Sequence, residues 1–142
     1  MIRLSRFVGV LALLAFAIPA LAQGSPIGTW ATVDDESGET KSHVRIYESG
    51  GKLVGDIVTL LPAGRRCVDC AGKFNNSTMR GERILWGFTR DGDTWTGGRI
   101  LDPKTGKEYK AKMKVQRDGT LYLRGYIGIP TLGRTQNWIR VR

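Results

Sequence analysis

Histidine is almost absent from this sequence: His43 stands alone among 142 residues. Cysteine occurs only at Cys67 and Cys70, and 13 acidic residues face 22 lysines and arginines. These scarcities narrow the chemistry. A structural zinc site takes four ligands, mostly Cys and His, so Cys67 and Cys70 would need two more, and the composition offers only His43 besides carboxylates. A hydrolytic triad needs a nucleophile on a strained turn, and no G-x-S-x-G stretch is present. His43, next to Ser42 and on a strand face with Arg45 and Tyr47, therefore reads as a surface histidine. Asp34, Asp35 and Glu36 run directly into Ser37-Gly38, which is turn chemistry rather than an acid/base cluster. No catalytic residue, metal or cofactor is expected, and the chain reads as a non-enzyme.

Long apolar runs are missing after residue 18. Before it, Arg3 and Arg6 precede an apolar stretch from Phe7 to Ile18, then Pro19 and the small-residue pattern Ala20-Leu21-Ala22. That order is a secretory signal. Residues 1–22 are predicted to be removed after Ala22, leaving 23–142 as a single domain, periplasmic or secreted and not membrane-spanning. An uncleaved anchor is the less favoured reading, because a span needs about 20 apolar residues. Loss of Arg3 and Arg6 lowers the formal net charge from +9 to +7. The basic residues are spread rather than massed, so nucleic acid is not an expected partner, whereas anionic envelope components are.

Helical periodicity is also lacking. A period of two dominates, with turn signals every ten or so residues, as in an all-β sandwich or barrel. Eight strands are predicted over Gly28–Val33, His43–Glu48, Leu53–Leu60, Ile84–Thr89, Thr94–Leu101, Glu108–Gln116, Leu121–Tyr126 and Thr135–Arg142. Short links imply antiparallel up-and-down pairing. Closure into an eight-stranded barrel would remove both exposed edges, with an open β-sandwich as the rival. The exceptional connection is Leu61 to Arg83, long, polar and holding Cys67-Val68-Asp69-Cys70. Outside the cytoplasm these cysteines are expected to form a disulfide. A thiol-redox site is the weaker reading, since no strand-to-helix setting surrounds the motif.

Four tryptophans are the informative presence. Trp30, Trp86, Trp95 and Trp138 lie on widely spaced strands, and closure would place Trp30 near Trp138 and Arg140. With Tyr109 and Arg140 they form the candidate ligand-binding set, expected to wall one cavity; filling the core is the plainer role for any one ring. Alternation along the fifth strand places Trp95 on one face with Gly97 and Arg99.

Gly28-Thr29-Trp30 with Arg140 resembles the glycine-x-tryptophan and closing-arginine pattern of lipocalin-like barrels. A wider similarity spans nearly all of residues 23–142. It includes Trp30 with Asp34-Asp35 and Gly38, Ser42 to Tyr47, Cys67 to Cys70, Gly97 to Pro103 with Gly106 and Tyr109, Arg124 to Gly128, and Leu132 to Gln136 with Trp138. These residues resemble the domain-of-unknown-function 2147 (DUF2147) family of small secreted bacterial proteins. The resemblance implies a lipocalin-like barrel and a periplasmic or secreted location, and carries no established activity. The leading functional expectation is a barrel binding a small apolar or amphipathic molecule without catalysis. Its rivals are an envelope or extracellular interaction module with a filled barrel, and a thiol-redox accessory using Cys67 and Cys70.

Overall fold

The computed structural model describes residues 24–142, together with 12 and 14. The expected cleavage after Ala22 lies outside the described residues, as does all of 1–22 except those two.

Eight strands follow in order: β1 Gly28–Val33, β2 Thr40–Ser49, β3 Lys52–Leu60, β4 Arg83–Asp91, β5 Thr94–Leu101, β6 Glu108–Val115, β7 Leu121–Tyr126 and β8 Gly133–Arg140. Each pairs antiparallel with its sequence neighbour, and β8 returns to β1 through Trp30↔Arg140 and Ala31↔Ile139. This last pairing closes the barrel and excludes the open sandwich. β2 begins at Thr40 rather than His43, because Val33 pairs with Thr40 beyond a register shift at Thr32/Val33. β6 shows how the sequence makes the wall: Ala111 and Met113 are buried, Lys110 and Lys114 on either side of them are exposed, and Lys112 between them is half-buried, one dry face and one wet face.

Simple alternation is broken by bulges in several strands, and two of them decide where Trp86 and Trp95 point. Between Leu53↔Phe88 and Gly55↔Leu85 β4 gains a residue relative to β3, and between Trp95↔Met113 and Gly98↔Ala111 β5 gains one relative to β6. The extra residues fall beside Gly87 and Gly97, with φ of 80° and 70°. Glycine takes that backbone conformation without a Cβ clash. Each bulge reverses parity, so Leu85 and Phe88, three apart, are both fully buried. Trp95 is thereby separated from Arg99: Trp95 lies opposite buried Met113, and Arg99 lies opposite exposed Lys110. The expected shared face of Trp95 and Arg99 is corrected accordingly.

Up-and-down topology sends alternate connections to opposite ends. One end carries the β2–β3, β4–β5 and β6–β7 turns with segment 24–27. The other carries 34–39, 61–82, 102–107 and 127–132. Trp30, Ile46, Leu53, Phe88, Met113 and Leu121, at 0 or 1 % exposure, pack the half toward the first end. The 61–82 connection is folded onto the barrel. Its Phe74 and Met79 are buried in the core, Ile57 N–H donates to Glu82 O and Gly81 N–H to Ile57 O, and Ala71 N–H donates to Pro103 O at 3.0 Å. Cys67 and Cys70 are joined in a disulfide within it.

Candidate ligand cavity

The barrel is sealed at the end carrying segment 24–27. Trp30 is fully buried, and its Nε1–H donates to Pro26 O at 2.7 Å. The Arg140 guanidinium stacks 4.2 Å from the Trp30 ring centroid and donates to Ile27 O at 3.1 Å and Ser25 O at 2.8 Å. Burial pulls the Arg140 pKa down, yet arginine's intrinsic basicity keeps the guanidinium charged. The pair therefore works as a plug, with the Trp30 N–H and both terminal nitrogens of Arg140 bonded to backbone carbonyls.

The other end is open onto a cavity of about 730 Å³. Its wall is largely aliphatic, with Ile57, Leu60, Ile84, Ile100 and Leu123, and Trp138 completes it. Trp138 is 2 % exposed, and its Nε1–H donates to Gln136 Oε1 at 2.8 Å, so the indole presents carbon to the cavity without an unpaired donor. Polar groups enter on one side. Thr32 and Ser42, inner-face neighbours across β1 and β2, have hydroxyl oxygens 2.8 Å apart, and Tyr109 lines the opposite wall beside Ile100.

The mouth is basic. Lys41, Arg65, Arg66, Lys104 and Arg134 line it, against Asp34 and Asp102. The neighbouring acids are already engaged. Asp34 accepts from the Ser37 amide at 2.7 Å and hydroxyl at 3.0 Å, which hold its carboxyl below the ordinary carboxylate range. Arg134 pairs with Asp35 at 2.6 Å and lowers its pKa, and Lys41 does the same to Glu39 at 2.6 Å. Arg65, Arg66 and Lys104 form no ion pair among the described residues. They donate instead to the backbone oxygens of Leu61, Asn76 and Val68.

A family model described as "Uncharacterized protein conserved in bacteria (DUF2147)" matches residues 28–140. The chain belongs to this family. Among solved structures, it is similar to one described as "Protein HP1028 from the human pathogen Helicobacter pylori belongs to the lipocalin family". The TM-score is 0.70 at 19 % identity, over 83 % of this chain and 84 % of that one. That likeness shows a lipocalin-like fold. No curated protein matches the chain.

In this DUF2147 member the six expected ligand residues do not come together. Tyr109 and Trp138 line the cavity. Trp30 and Arg140 form the plug at the opposite end, Trp86 faces outward opposite exposed Arg99, and Trp95 packs against the core near the β4–β5 turn without reaching the lining. The Asp34 cluster is the expected turn. The residues overlooked in the sequence are Thr32, Ser42 and the mouth cations. Parity from Trp30 and Val44 marks Thr32 and Ser42 as inward-facing; nothing periodic marks Arg65, Arg66 or Lys104, which sit on loops.

Proposed function

We propose that the protein is an exported, non-catalytic carrier whose barrel takes up a small amphipathic molecule, its apolar part against Leu123, Ile100 and Trp138 and its polar end at the basic mouth. The observation that carries this reading is the one-ended aliphatic cavity. A volume of about 730 Å³ lies within the usual range of about 300–1,000 Å³ for small-molecule sites, which are typically apolar with a few placed polar groups. Arg65, Arg66 and Lys104, which form no ion pair among the described residues, favour an anionic polar end, since like charge would repel a cationic one. Export is supported by the order of residues 1–22 and by the Cys67–Cys70 disulfide, which persists in oxidising compartments.

The open cavity weighs against the filled-barrel interaction module, and the cysteine setting weighs against a redox role. Cys70 is buried and followed only by a three-residue 3₁₀ turn, Gly72–Phe74, not by a helix that would depress a thiol pKa.

Titration of intrinsic tryptophan fluorescence with fatty acids, isoprenoids and aromatic acids tests the carrier, because Trp138 sits in the cavity wall. Saturable change is expected for at least one class, and Gly125→Leu, which adds bulk beside Ile100 in the lining, should abolish it. No response across the panel, together with no retained small molecule in native mass spectrometry of protein from its own host, would refute the carrier.

A further inference from the structure

Between residues 24 and 142 the four most exposed large aliphatic side chains are Val68, Ile127, Ile129 and Leu132, at 62, 67, 58 and 65 % exposure. All four belong to the loops at the open end. Three sit on the β7–β8 loop, which is braced internally: Ile127 N–H donates to Leu132 O at 3.0 Å, Leu132 N–H to Ile129 O at 3.0 Å, and Arg124 Nε–H to Pro130 O. The loop thus holds its apolar side chains in water by design of its own backbone rather than by lack of structure. Val68 is fixed likewise, its carbonyl taking a 2.7 Å bond from Lys104 Nζ. An apolar tip of this kind marks an interaction site.

We infer that the open end of the barrel docks on an anionic phospholipid bilayer, with Ile127, Ile129, Leu132 and Val68 entering the interfacial layer and Arg65 and Arg66 meeting lipid phosphates. Charge selects this occupant. Both arginines lack a carboxylate partner among the described residues, as does Lys104, and a guanidinium fork matches phosphate oxygens. A second copy of the chain, placed mouth to mouth, would set these cations against their own equivalents and is disfavoured. Apolar side chains with flanking basic residues are the combination by which peripheral proteins hold to lipid surfaces. Docking in this pose turns the cavity mouth toward the lipid. The docking itself does not depend on the carrier reading; only direct exchange of an amphiphile between bilayer and barrel does.

The test is co-sedimentation of the protein, purified as its bacterial host leaves it, with vesicles of phosphatidylcholine alone or of phosphatidylcholine mixed with phosphatidylglycerol. Binding is expected only to the mixed vesicles. Arg65→Gln with Arg66→Gln should weaken it about 25-fold, at about fivefold per cation near an anionic surface. Lys110→Gln with Lys112→Gln, an equal charge change on the barrel wall, should weaken it far less. Ile127→Ser, Ile129→Ser and Leu132→Ser together should lower partitioning on the order of tenfold or more, because binding scales with buried apolar area. As a second readout independent of that triple variant's folding, Ile129→Trp should add a fluorescence signal quenched by brominated lipid. Equal binding to both vesicle types, equal loss in the two charge variants, no quenching at position 129, or sedimentation of a lipid-free dimer in place of vesicle binding would each overturn the proposal. An unresponsive cavity in the fluorescence titration would remove the carrier reading and leave these results unaffected.

Discussion

Replacing Arg140 with alanine separates a plug from a ligand site. Three interactions would be lost: the stack on Trp30 at 4.2 Å and the bonds to Ser25 O and Ile27 O at 2.8 and 3.1 Å. A cation over a tryptophan face contributes about 0.5–2 kcal/mol, more as water is excluded. Hydrogen bonds from a charged donor contribute about 1.5–3 kcal/mol each when well buried. Ser25 and Ile27 keep contact with solvent, so water would take over part of those two bonds, and the lower end applies. The expected loss is about 2–4 kcal/mol, read from urea unfolding followed by tryptophan fluorescence, with cavity affinity unchanged. Arg140→Lys should recover a minor part, since an ammonium keeps the charge and loses the two-pronged geometry. A stability loss below about 0.5 kcal/mol, or a loss of ligand affinity at unchanged stability, would refute the plug and return Arg140 to the binding set.

Other expectations follow from the same geometry. Gly97→Ala puts a Cβ on a backbone with φ of 70° and should cost about 1–2 kcal/mol by equilibrium unfolding; an unchanged midpoint would show that the bulge is not required. Thiol counting should find no free cysteine, and Cys67→Ser with Cys70→Ser should keep the barrel while losing about 2 kcal/mol, the loop-closure value for so short a ring; rapid catalysis of insulin reduction by the intact protein would instead establish a redox role. Asp35 titrates below its ordinary value of 3.8 because of Arg134. Its contribution is therefore fully present above 3.8 and fades as pH falls through the lower folded-state value. Carboxyl NMR should show that depressed midpoint, returning toward 3.8 in Arg134→Ala; a midpoint indifferent to Arg134 would contradict the ion pair.

The barrel was legible because its walls are written in alternation. Lys110, Ala111, Lys112 and Met113 assign their own faces, and the short glycine-containing turns leave antiparallel neighbours as the economical pairing. Closure followed from the edge problem and is realised at Trp30↔Arg140. Trp86 and Trp95 were not legible in the same way. A bulge changes parity without changing composition, and Gly87 and Gly97 look in sequence like any strand glycine until the register of the neighbouring strand is known. The mouth cations were illegible for a different reason. A loop has no period, so the approach of Arg65, Arg66 and Lys104 depends on how 61–82 folds against 102–107, through contacts such as Ala71 N–H to Pro103 O.

Arginine occurs at both ends of this barrel, and the fate of its donors distinguishes the roles. At the sealed end, Arg140 is partly desolvated, stacked on a fully buried indole and bonded to two backbone carbonyls, so its charge is compensated from within the chain. At the open end Arg66 is exposed and uses one terminal nitrogen on Asn76 O at 2.8 Å, and Arg65 reaches Leu61 O only at 3.5 Å. A guanidinium has five N–H donors. Most of those on Arg65 and Arg66 therefore remain available to an external anion, while both terminal nitrogens of Arg140 are engaged within the chain. Its expected place beside Trp30 on the closing strand put Arg140 in the ligand set, whereas donor occupancy moves the candidate anion contacts to Arg65 and Arg66.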